Sequence, residues 1–288
     1  MNFFYRFLGY IFNFINDLLL FYFLTKTTFK HFYIHTKFVF KIFIKYLKNK
    51  SEYSDQFINY NHLKNCKKSN KLFIIGSGAS INEINDETWE KISKHDTLGF
   101  NGSFHLKKVN ITYHILRAGQ EDPSIEEEDK IEHELEYAKY LIEKINSNVF
   151  YSKTIFLFSR GISQHFTNLL IGFKLWKSNS IFQYNTNKIF SYPRGNLSLG
   201  LIHRKGTLID AISFGFHMGY QEISLLGIDL YNNHYFWADK NKTISYDKTL
   251  KKEVSTHITL RGVKASDTHN TFKNGIVNYI GNLKDYFE

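Results

Sequence analysis

"LFIIGSGASINEI", residues 72–84, is four apolar residues running into a Gly-x-Gly turn with two serines. A short apolar run broken by glycines reads as a strand feeding a tight corner. Gly76 and Gly78 lack a Cβ, so backbone N–H groups there can approach a ligand closely, and Ser77 and Ser80 add hydroxyls. The signal is weak alone. The third glycine of G-x-G-x-x-G and the Walker lysine are both absent, and a structural corner between strand and helix fits the residues equally well.

Moving outward from that turn, apolar runs at 72–75, 97–100, 111–116, 154–158 and 222–227 predict strands. Helical periodicity near 86–94, over 124–145 and over 206–219 separates them. Strands alternating with helices predict an α/β, Rossmann-like domain over 71–288, with a mostly parallel sheet and helices on both faces. In such sheets ligands bind beyond the carboxyl ends of the strands. Asn101 follows the second strand, where its amide could bond a base, a ribose or a phosphate, although asparagine is also a common turn residue. Asp229, Tyr231 and Tyr235 follow the last strand in "GIDLYNNHYFW". Residues 231–268 show no regular pattern, and a loop of that length reads as a lid. Its far end is "SDTHNTF", with His269 before a last helical stretch.

The chain has 288 residues, enough for one sizeable domain and an appendage. With 43% hydrophobic and 22% charged residues the composition is globular. A lone cysteine, Cys66, excludes an internal disulfide framework and a Cys-based zinc site, and fits a reducing compartment. Residues 1–50 hold eight Lys/Arg against one acid, so they account for seven of the ten net positive charges. The nearly balanced remainder argues against a nucleic-acid reader. In residues 7–25 the central Asp17 costs about 2.5–3.5 kcal/mol on insertion scales, which makes a spanning helix marginal. Lys26, Lys30, Lys37, Lys41, Lys45 and Lys48 lie on one helical stripe, with Phe29, Phe32, Val39, Phe40, Ile42, Phe43, Tyr46 and Leu47 around the rest. Residues 1–50 are therefore expected to be amphipathic helices lying on an anionic membrane surface, at the cytoplasmic face of an inner membrane. The alternative is a helix packed on the protein's own core. Residues 51–70 are polar and read as a linker.

Taken in order, "IIGSGASINEI", "FNGSF", "GYQEISLLGIDLY" and "DTHNT" resemble the bacterial sialyltransferases that use CMP-activated sialic acid, a metal-independent family with a Rossmann-like domain and a lid. The resemblance spans roughly residues 71–285. It implies that Gly76, Ser77, Gly78, Ser80 and Asn101 hold the cytidine nucleotide, with Asp229 among the substrate-binding residues. It also implies that Thr207, at a helix start, lies near the donor carboxylate. Tyr231 and Tyr235 would donate to the departing phosphate, His269 would be the general base, and no metal or other cofactor would be needed. The chemistry agrees: negative charge grows on the leaving phosphate and needs positioned donors, and a histidine suits the removal of a hydroxyl proton near neutral pH.

Ser77 stands where the family usually has asparagine, and its second donor tyrosine falls two residues beyond Tyr235. A related CMP-activated 2-keto sugar acid such as Kdo is thus an alternative donor, with Arg117 as its carboxylate or phosphate contact. The expected acceptor is a glycan or glycolipid, as in lipopolysaccharide or capsule biosynthesis, and homo-oligomerisation is left open. Two other readings stand beside this one: a Rossmann-type methyltransferase or dinucleotide enzyme, and a non-enzymatic membrane adaptor. Phe100 and Asn101 occupy the position where a dinucleotide enzyme needs an acid for the ribose. His31, His35, His105, His114, His203, His217 and His257 read as surface or packing residues, and the acidic run from 125 as a solvated helix face.

Overall fold

The computed structural model describes residues 29–117, 127–161, 164–177, 179–187, 192–193, 197, 200–203, 206–229, 235–236, 243–247, 252–256 and 276–287. Its centre is a six-stranded, all-parallel sheet. The strands are β1 (Lys71–Ile75), β2 (Asp96–Phe100), β3 (Tyr113–Leu116), β4 (Ile155–Ser159), β5 (Ile181–Tyr184) and β8 (Glu222–Leu226), with a short pair, β6 (Thr186–Asn187) and β7 (Leu201–Ile202), alongside. The order is β5-β4-β3-β2-β1-β8, so the walk from β1 to β5 goes one way and β8 joins on the other side of β1. The direction of winding reverses between β1 and β8.

Apolar runs without polar alternation are what strands covered on both sides require. Ile75, Leu116, Phe156, Phe158 and Ile181 pack beneath α1 (Phe29–Asn49), α3 (Asp86–Ser93), α4 (Glu127–Ser147) and α5 (His165–Gly172). Leu72, Ile74, Leu98, Tyr113, Ile115 and Leu157 pack against α2 (Tyr60–Asn65), α6 (Thr207–His217) and α7 (Ile276–Phe287). The α/β, Rossmann-like class with helices on both faces is therefore the fold of this chain.

Several elements differ from the sequence reading. α5 and β5 went unanticipated. Every residue of α5 from Phe166 to Gly172 is buried, so it shows no helical stripe, and β5 is only four residues long. Residues 243–247 and 252–256, inside the segment expected to lack regular structure, form an antiparallel hairpin of β9 (Thr243–Asp247) and β10 (Lys252–Thr256). Its polar composition hid the pairing. The 51–70 stretch, expected as a linker, is built into the fold. It holds a 3-10 helix with buried Tyr53, then α2 with buried Leu63, and Ile58 N–H donates to Ile181 O at 2.9 Å, covering the outer edge of β5. Its end is clamped at the start of β2, inside the sheet, by Asp96, fully buried, which accepts from Lys68 N, Ser69 N and the Tyr220 hydroxyl.

The expected position of α1 is corrected most. Val39, Ile42, Phe43 and Tyr46, read as facing an acyl boundary, are buried against the protein instead, together with Phe38. A Cβ on Gly172 of α5 would lie 2.9 Å from Tyr46 N, so glycine is what lets the two helices approach this closely. Asn49 Nδ2 donates to Gly172 O at 2.8 Å and closes the contact. Phe40, Ile44 and Leu47, each 49% exposed, form a separate outward stripe next to Lys37, Lys41, Lys45 and Lys48. Among the described residues no helix is long and apolar enough to cross a membrane.

Candidate functional site

The carboxyl ends of the strands form one rim, and the reversal between β1 and β8 opens a crevice in it, where α/β sheets bind ligands. Both sides of that crevice come from the sequence features singled out above. β1 ends in the Gly76–Ser80 turn and β8 in Gly227–Asp229. Gly76 N–H donates to Leu226 O and Gly78 N–H to Gly227 O, both at 2.8 Å. These two N–H groups, expected to face a ligand, thus hold β1 to β8.

The glycines permit that closeness. A Cβ at Gly76 would come within 2.6 Å of Ile228 Cδ1, and one at Gly78 would overlap the Asp229 carboxyl. Asp229 in turn accepts from Ser80 N at 2.7 Å and from the Ser80 hydroxyl. The Ser80 hydroxyl, expected as a ligand donor, is engaged in organising the turn, and Asp229 is its organiser. Among the described residues these bonds leave the Ser77 N–H and the Ser77 hydroxyl as donors of the turn.

Tyr235 is brought to the same place. It forms an antiparallel bridge with Gly78, while Phe236 N–H donates to Ser77 O at 3.1 Å and Asn82 Nδ2 to Phe236 O at 2.8 Å. The chain after β8 thus folds back across the turn. Ser80, Leu225 and Asp229 face Val277 and Ile280 of α7 across an open hollow of about 340 Å³. Tyr231 and His269 lie outside the described residues.

Asn101 follows β2, exposed and in the left-handed region at φ 50°. Thr207 opens α6, whose amino end lies at this rim because the helix runs back to feed β8. Unpaired N–H groups and the helix dipole favour an anion there. Arg117, directly after β3, is not free. Its Nη1 lies 2.9 Å from Asp210 Oδ2 and 2.7 Å from His203 Nδ1. Asp210 has no solvent exposure, and His203 Nδ1 is 3.0 Å from its Oδ1. Burial, and then the nearby Asp210, push the Tyr184 phenol up, so it stays neutral beside them.

The Asp210–His203 pair is the part that the sequence reading missed. The partners are seven positions apart, β7 ends just before His203, and the chain turns at Gly206, with φ at 126°, before α6 begins. No helical or strand periodicity joins positions related by such a turn. Asp210 on the buried side of a strongly apolar helix was the available signal, since a buried carboxylate needs a partner. Among the described residues no group of three His, Cys, Asp or Glu side chains is placed to hold a metal.

No protein-family profile matches the chain, and no curated protein is significantly similar to it.

Proposed function

We propose that this chain is a glycosyltransferase that moves an acidic 2-keto sugar, sialic acid or a relative such as Kdo, from a CMP-activated donor to a glycan or glycolipid. The observation that carries the reading is the crevice between β1 and β8, where the Gly76–Ser80 turn, Asp229 and Tyr235 meet in one place. Asn101 and Thr207 stand on the same rim, one strand and one helix away. On the resemblance, the donors left in the turn and Asn101 take the nucleotide, Thr207 and the start of α6 take the sugar carboxylate, and Tyr231 and Tyr235 stabilise the phosphate as it leaves. The acceptor proton passes to a histidine, His269 by the same resemblance.

The outward stripe of Phe40, Ile44 and Leu47 beside four lysines suits an anionic bilayer, with each Lys near the surface worth about 1 kcal/mol. A lipid-linked acceptor would then be met at the membrane it belongs to. Thermal melts with CMP, UDP and S-adenosylmethionine test the donor class. Ligand at 100 times its dissociation constant adds about 2.7 kcal/mol, which a melt resolves. CMP should raise the midpoint most; a shift with S-adenosylmethionine alone overturns the glycosyltransferase reading in favour of a methyltransferase.

A further inference from the structure

Two strands along the rim from the turn, about 10 Å at the usual strand spacing, stands a second polar group. It consists of Arg117 after β3, His203 after β7 and Asp210 in the first turn of α6. Asp210 is wholly buried, and a carboxylate removed from water needs donors. Among the described residues Arg117 and His203 are its hydrogen-bond partners. The guanidinium is always protonated, and its Nη1 gives one hydrogen to Oδ2.

His203 Nδ1 touches both the guanidinium and the carboxylate, and a single ring nitrogen serves one of them. Both contacts involve a charged partner, but the guanidinium has further N–H groups to place, whereas the wholly buried Asp210 has lone pairs left after Arg117 is served and, among the described residues, no side-chain donor besides these two. The Nδ1 proton therefore points to Asp210. That tautomer leaves the lone pair on Nε2, on the other side of a ring that is 26% exposed. A ring nitrogen whose lone pair no described residue engages, held by a buried carboxylate behind it, is the arrangement of an oriented base.

We propose that His203 is the acid–base residue of this site, with Asp210 as its positioning residue and Arg117 as the cation paired with Asp210. The proposal rests on the glycosyl-transfer reading and assigns to His203 the role that the resemblance gives to His269. In the step, the acceptor hydroxyl gives its proton to His203 Nε2 and its oxygen bonds to the anomeric carbon. The bond from that carbon to the phosphate oxygen breaks, and its electron pair leaves with CMP. The imidazolium formed is stabilised by Asp210 across Nδ1–H, and the distance between the two polar groups is of the size a nucleotide-sugar spans.

The test uses the full chain and CMP-N-acetylneuraminic acid, with water as acceptor and released CMP as the readout. H203Q should keep the CMP-induced rise in melting temperature while kcat falls about 100-fold or more, as expected for loss of a general base. KM should move little. D210N should shift the acid limb of kcat/KM to lower pH, because removing the carboxylate disfavours the imidazolium. The charged or titratable groups facing His203 among the described residues are Asp210 of α6 and Arg117 after β3, with the neutral Tyr184 of β5 behind them. A purely structural Asp210 would lower the rate without moving that limb, so this profile is a second readout should H203Q fold poorly. Wild-type turnover in an H203Q variant that still binds CMP overturns the base assignment alone. A wild-type protein that shows no CMP-induced shift overturns the donor reading, and the base role with it.

Discussion

At Gly78 the absence of one methyl group decides whether the turn can form. The Asp229 carboxyl occupies the space a Cβ would take, and the same carboxyl holds Ser80. G78A is expected to cost about 1–3 kcal/mol through overpacking, seen as a drop of several degrees in a melt. D229A removes two of the three atoms that the added methyl meets, so the double variant should lose less than the sum of the singles. His114 shows a different constraint. Buried on β3 beside the Tyr151 hydroxyl, its imidazole is pushed down to about 3 by desolvation. The unfolded chain takes up a proton near pH 6.5 and the folded one does not. Stability present above that pH is therefore lost as pH falls toward 3, at about 1.4 kcal/mol per unit from this residue. H114L should flatten that part of a urea-midpoint titration between pH 6 and 4. The turn glycines and the end-of-strand Asn101 were legible in the sequence because local chemistry announces them. The partners of Asp210 were not, since their meeting depends on where β3 and β7 end.

Between helices the informative contrast lies within α1. Ile42 is fully buried against the sheet-covering helices and Ile44, two residues on, is half exposed. I42A is expected to cost about 2–5 kcal/mol, and I44A close to nothing, when both are measured by urea unfolding. Binding to vesicles containing anionic lipid should respond in the opposite way: I44A and L47A weaken co-sedimentation, while the folded fraction of I42A binds as the wild type does. The sequence showed that α1 is a helix with a lysine stripe, and its period left two faces for the remaining apolar residues. Which of them meets protein is set by α5, whose uniform burial gave no stripe to read. The strands β1 and β2 were legible because parallel strands inside a sheet covered on both faces are continuous apolar runs.

For the whole molecule, the class and the order of the main elements followed from alternation, and the position of β8 beside β1 did not. That pairing joins residues about 150 apart in sequence, Ile75 with Leu226 for example, and no local pattern encodes it. The burial of α1 makes the amino-terminal region part of the domain's stability. Removing residues 1–49 should uncover the face of α5 that carries His165 and Gly172 and yield an aggregating protein with no cooperative melt, irrespective of any role at a membrane.

The late arrival of β8 also matters during translation. As the nascent chain leaves the ribosome, β1 to β5 can zip together outward in synthesis order, while one flank of β1 keeps its backbone groups unpaired until residue 226 has emerged. Such an open flank is a template for pairing with another polypeptide. A stop codon before β8 should therefore produce an insoluble product even though five of the six strands are present, and the crevice exists only in a chain whose synthesis has passed that point.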